Sequence, residues 1–147
     1  MEARGGGMKI FFRLVTFLVL AGVFGVVLWC ALAPTPDLVN IEWMPRWLGK
    51  WADANPTFRN FPAFGILAMG FYAAGFAWFD PRRGAGQCAL AFIGAVTASF
   101  AAVAMEVAQV RLPGRFFDPD DIAWSMAGAL TGAFVAWLGG LFLPRRS

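Results

Sequence analysis

Eight polar residues sit beside long apolar stretches and could do chemistry there: Arg59, Asn60, Glu106, Gln109, Arg111, Arg115, Asp121 and Ser125. Ionisable groups in or next to an apolar span are costly and usually functional. A carboxylate at such a boundary needs a cation or several donors. Arg111, Arg115 and Arg59 are the cations available to Glu106, and Pro113-Gly114 would let the chain fold back and bring Arg115 over it. The same arginines suit a phosphate or carboxylate ligand, and Asn60 and Gln109 could orient its polar groups. Two plainer readings stand beside this one. Asp121 could cap a helix, and Glu106 with Arg115 could be an ion pair that only locks the loop.

Other chemistry is excluded or weakly supported. The chain has no histidine, which removes His-based acid–base catalysis, Ser-His-Asp chemistry and His-ligated zinc or haem. Two cysteines cannot build a zinc site alone, and no cofactor is expected. Glu106 and Asp121 could form an acid–base pair. No nucleophile–base pair accompanies them, and Ser125 four residues after Asp121 does not make a triad. The residues therefore favour binding over catalysis.

The elements that carry these residues follow from the apolar pattern. Of 147 residues, 59% are hydrophobic and 14% charged, against about a quarter charged in a soluble domain. Mean hydropathy is +0.62. Residues 14–33, 61–79, 84–105 and 122–143 contain no charge, and each is close to the roughly 20 residues that cross a bilayer as a helix. The expected fold is all-α: a polytopic transmembrane four-helix bundle forming a single integral membrane domain over residues 1–147. Its spans fall at about 11–33, 61–79, 87–110 and 122–143.

The basic residues set the orientation. Residues 1–13, 80–86 and 144–147 share one side and hold seven Lys and Arg against two acids. The other side holds five against seven. The positive-inside rule then puts both termini in the cytoplasm of a bacterial inner (plasma) membrane, with the polar constellation at the opposite face. Ala31-Leu32-Ala33 has the look of a cleavage site, but the long apolar run and Pro34 favour a retained first span. Cys30 and Cys88 are expected a membrane thickness apart, so no disulfide should join them.

Between spans one and two, Trp43, Trp47 and Trp51 recur every four residues, with Glu42, Arg46, Lys50 and Asp53 on the opposite face and Pro45 in the first turn. This predicts a short amphipathic helix in the headgroup layer, indoles down, either as an anchor or as a lid. The face of Glu106 and Gln109 continues inward through Ala102, Ser99 and Ala95. The face of Asp121 and Ser125 continues through Gly128 and Gly132. Small residues let membrane helices approach closely, so spans three and four are expected to pack through these stripes.

The run Glu106-x-x-Gln109-x-x-x-Pro113-Gly114-Arg115, followed by Asp121, Gly128 and Gly132, resembles the signature segment of the VanZ-like family. The stretch from Arg59-Asn60-Phe61-Pro62 to Leu67 is similar to that family's start of span two. The likeness covers about residues 55–135. Two departures are visible: the family usually has Asn where Ser125 stands, and many members carry a His near span two. The resemblance implies a small multi-pass membrane protein marked at its outer face. The family's founding member confers glycopeptide-antibiotic resistance, and some members accompany exopolysaccharide or cell-envelope genes.

Three functions follow as expectations. The first is an envelope protein whose outer pocket binds a lipid headgroup, a lipid-linked glycan or another envelope component. The second is a non-catalytic accessory subunit of a larger membrane complex, with other membrane protein subunits as partners. The third, an enzyme on an outer-leaflet substrate, has the least support. Membrane lipids are expected partners in each case. The net charge of +3 is explained by topology, so nucleic acid is not an expected partner.

Overall fold

The computed structural model describes residues 3–33, 37–79, 81, 84–112 and 116–142. The described chain is all-helical: α1 (Ala3–Leu32), α2 (Arg46–Ala54), α3 (Asn60–Phe79), α4 (Ala85–Gln109) and α5 (Pro119–Phe142), with a 3-10 turn at Leu38–Asn40. Helices α1, α3, α4 and α5 are each long and apolar enough to cross a membrane. They are the four expected spans. The short helix expected between spans one and two is α2, nine residues long.

Local chemistry sets the ends of these helices. Pro119 is the first residue of α5, where a missing N–H costs nothing. The Asp118 carboxylate accepts from the Asp120 amide at 2.9 Å, so Asp118 is the N-cap. The plainer reading of Asp121 as the cap is therefore corrected: Asp121 lies inside the first turn of α5, after the cap. Gly84 precedes α4 with φ of 84°, a backbone conformation that side chains other than glycine's resist. Helix α1 begins earlier than its charge-free stretch because Arg13 does not end it. The Arg13 guanidinium donates to the carbonyls of Ala77 and Trp78 at 3.1 and 3.3 Å and lies over the Trp78 ring. It thereby satisfies the exposed carbonyl end of α3.

Helix α3 is the centre of the bundle, touching α1, α4 and α5. A Cβ on Gly128 would collide with the Phe61 carbonyl, and one on Gly132 with that of Gly65. The Gly128–Gly132 stripe thus seats α5 on α3, not on α4 as the sequence suggested. A small stripe can serve any neighbour, and α3 is the helix whose bare backbone at Gly65 lies opposite. The alanine stripe of α4 is buried as expected at Ala95 and Ala102, with Ala98 and Gly94 beside them. A Cβ on Gly94 would stand 3.0 Å from the Ala68 carbonyl oxygen of α3. In lipid, helices associate by such close contact rather than by a hydrophobic drive. Helix α1 is peripheral. Leu20, Val23, Phe24, Val27 and Leu28 pack on the core, while Phe11, Phe17, Leu18 and Val19 are exposed. Both cysteines are free thiols, Cys30 near the end of α1 and Cys88 at the start of α4.

Candidate functional site

The starts of α3 and α5 and the end of α4 meet at one end of the bundle, covered by the segment from Leu38 to Ala54. Asp53 organises that cover. Its two carboxylate oxygens accept from the amides of Leu38 and Val39 at 2.8 and 2.9 Å, and it pairs with Arg59 at 3.8 Å. Gly49 lets α2 press on the 3-10 turn, since a Cβ there would stand 2.7 Å from the Val39 Cα. The sequence placed Asp53 on a solvated face with Arg46 and Lys50. Its real role needs the 3-10 turn opposite, which no spacing announces.

The indoles are surface groups. Trp43 and Trp47 are 57% and 72% exposed, and Trp43 packs against Trp29 of α1 with ring centres 5.5 Å apart and planes tilted by 56°. Trp43 is outside α2, although its spacing placed it on the same short helix as Trp47 and Trp51. Pro45 has extended backbone (ψ 126°) and precedes the first helical residue, and a proline disfavours helical geometry at the residue before it, here Met44. Trp51 meets Phe58, which also packs on Phe61 and Trp124. This cluster ties the cover to α3 and α5.

Beneath the cover is a cavity of about 550 Å³ bounded by α1, α3, α4 and α5. Its body is apolar, with Val23, Val27, Leu48, Phe64 and Met105 among its walls. One end is polar. Arg59, Asn60, Glu106, Gln109, Asp121 and Ser125 all line it, which brings together six of the eight residues singled out in the sequence. Arg111 is exposed in the turn after α4 and does not line it. Arg115 lies outside the described residues, as do Pro113 and Gly114.

The polar end is already internally bonded. Glu106 is 4% exposed and accepts from the Asp118 amide at 2.7 Å. The arginine expected over Glu106, Arg115, lies outside the described residues, and among those described the Asp118 amide is the group that bonds its carboxylate. That bond ties the loop before α5 to the end of α4. The Asn60 side chain hydrogen-bonds the Asp121 carboxylate, and Glu106, Asp118 and Arg59 lie within electrostatic reach of it. Ser125 donates to the Asp121 carbonyl at 2.6 Å. Its one hydrogen is committed, so it can offer a ligand only lone pairs. Sequence reasoning missed Asp118, although Asp-Pro at a helix start is a readable capping signal. It also passed over Cys30, which it read as a buried small residue and which lines the cavity wall.

The sequence model of the VanZ/LLP1 family matches residues 8–142, nearly the whole chain. The chain belongs to the VanZ/LLP1 family. No curated protein and no solved structure matches it. The family match takes in all four spans, and so includes α1 and the cover, which lie outside the segment that carried the sequence resemblance. The cavity is therefore built entirely within the VanZ/LLP1 region of this multi-pass membrane protein.

Proposed function

We propose that this VanZ/LLP1 protein binds a lipid or lipid-linked envelope component in the covered cavity. The headgroup would meet Asn60, Gln109 and Asp121, and the apolar part would lie between α1 and α3. The observation that carries this reading is the cavity's division into an apolar body and one polar end. Its volume falls in the range of about 300–1,000 Å³ typical of small-molecule sites. An amphiphile suits such a shape because neither part leaves a polar group unpaired or an apolar one wet. The cover supports the lid reading of the segment between spans one and two, since Leu38, Met44, Leu48 and Ala52 face the cavity while Trp47 faces outward. The excess of Lys and Arg on the segments at the other end supports a site at the extracytoplasmic face of a bacterial inner membrane.

Native mass spectrometry of the protein, taken from its own membrane in mild detergent, tests this. The expected result is a free chain or small homo-oligomer carrying a lipid-sized mass. Gln109→Ala and Asn60→Ala should lose that mass, and Trp47→Ala should keep it. A stoichiometric assembly with other polypeptides and no bound lipid would replace this reading with that of an accessory subunit.

A further inference from the structure

A second cavity, about 500 Å³ in volume, lies at the opposite end of the bundle between α1, α3 and α5. It shares no lining residue with the first. Lys9, Arg13 and Thr16 line it from α1 at helical spacing, so they share one face. Lys9 and Arg13 are the charged residues among its described walls, and both are basic. Arg13 uses two donors on the carbonyls of Ala77 and Trp78. A guanidinium has five, so among the described residues three of its donors are uncommitted. The other walls are mostly apolar, with Phe12, Met69 and Phe76 among them. Phe12, Met69 and Gly139 are themselves exposed on the flank of the bundle, so the cavity opens sideways among the apolar helix faces.

Tyr72 forms part of the inner wall. It is 5% exposed, and its hydroxyl is sealed against Gly140, whose lack of a side chain makes room for it.

We propose that this second cavity is a binding site for an acidic phospholipid, separate from the covered site. The phosphate would sit against Lys9 and Arg13, and the acyl chains along Phe12, Met69 and Phe76. Charge decides the class of lipid. Two cations with no acid among the described walls select a net negative headgroup over a zwitterionic one. The sideways opening and apolar walls select a lipid over free phosphate.

The full chain in nanodiscs of equimolar phosphatidylcholine and phosphatidylglycerol provides the test, with retained lipid counted by native mass spectrometry. The wild type should retain phosphatidylglycerol preferentially. Lys9→Gln should lower that retention about fivefold, the equivalent of roughly 1 kcal/mol for one lysine at a membrane surface. Lys9→Glu, which reverses the charge, should lower it further. Equal retention of the two lipids by the wild type would overturn the proposal. So would retention unchanged in both variants. Retention of phosphatidylglycerol by Gln109→Ala would separate this site from the covered one.

Discussion

Replacing Gly128 by alanine probes both the fold and the site. An ideal Cβ at Gly128 stands 2.8 Å from the Phe61 carbonyl carbon and 2.9 Å from its Cα. Carbon pairs settle at about 3.5–4.0 Å, so α5 must retreat from α3 by roughly 1 Å. The obstructing atoms are backbone, and no rotamer change can relieve the contact. Overpacking of this kind costs about 1–3 kcal/mol. Alanine recovers up to about 1 kcal/mol of helix propensity. The net loss is then up to about 2 kcal/mol, or roughly 4–8 °C in unfolding temperature at about 2–4 °C per kcal/mol. Gly22→Ala is the control, because nothing lies within 4 Å of a Cβ there. It should unfold at or slightly above the wild-type temperature. The shift should also reach the site. Asn60, next to Phe61, bonds to Asp121 two turns above Gly128, so bound lipid should fall along with stability. The assay is thermal unfolding in detergent, followed by tryptophan fluorescence, with retained lipid weighed in parallel. If Gly128→Ala and Gly22→Ala unfold together, the backbone contact between α3 and α5 is not as described.

Three further outcomes are expected. Asp53→Ala removes the acceptor for two amides of the cover, each worth about 1.5–3 kcal/mol when made to a charged group; hydrogen exchange at Leu38 and Val39 should accelerate while exchange in the core of α3 stays unchanged. Asp118→Ala removes the N-cap of α5 at a cost of about 1 kcal/mol, and Asp118→Asn should restore most of it, as read by thermal unfolding. With the proposed orientation, a membrane-impermeant maleimide applied to intact cells should leave Cys88 unmodified, and lipid bound in the covered cavity should slow modification of Cys30 in a Cys88→Ser background by a permeant reagent. Labelling of Cys88 from outside would invert the topology.

Much of this was readable from residue types along the line of the chain. Apolar lengths mark the four spans, because crossing a bilayer is a requirement on each helix separately. The alternation of basic and acidic segments sorts the helix ends. Arg59, Asn60, Glu106, Gln109, Asp121 and Ser125 converge because each begins or ends a span on the same side, and the antiparallel path of consecutive spans brings those ends together. The family signature pointed to the same residues.

Partnership is another matter. Glu106 needed a partner by its chemistry, but whether an arginine or the Asp118 amide supplies it depends on how the loop before α5 folds. Gly128 and Gly132 announce a close approach without saying to which helix, since a small face fits any neighbour. Asp53 and Pro45 show the same limit, the first turned by the 3-10 turn it caps, the second starting a helix that the tryptophan spacing would have begun earlier. The two cavities appear in no periodicity. They are the spaces left when α1 lies against α3 at a particular rotation and tilt, and those two variables come from the fit of all the side chains together.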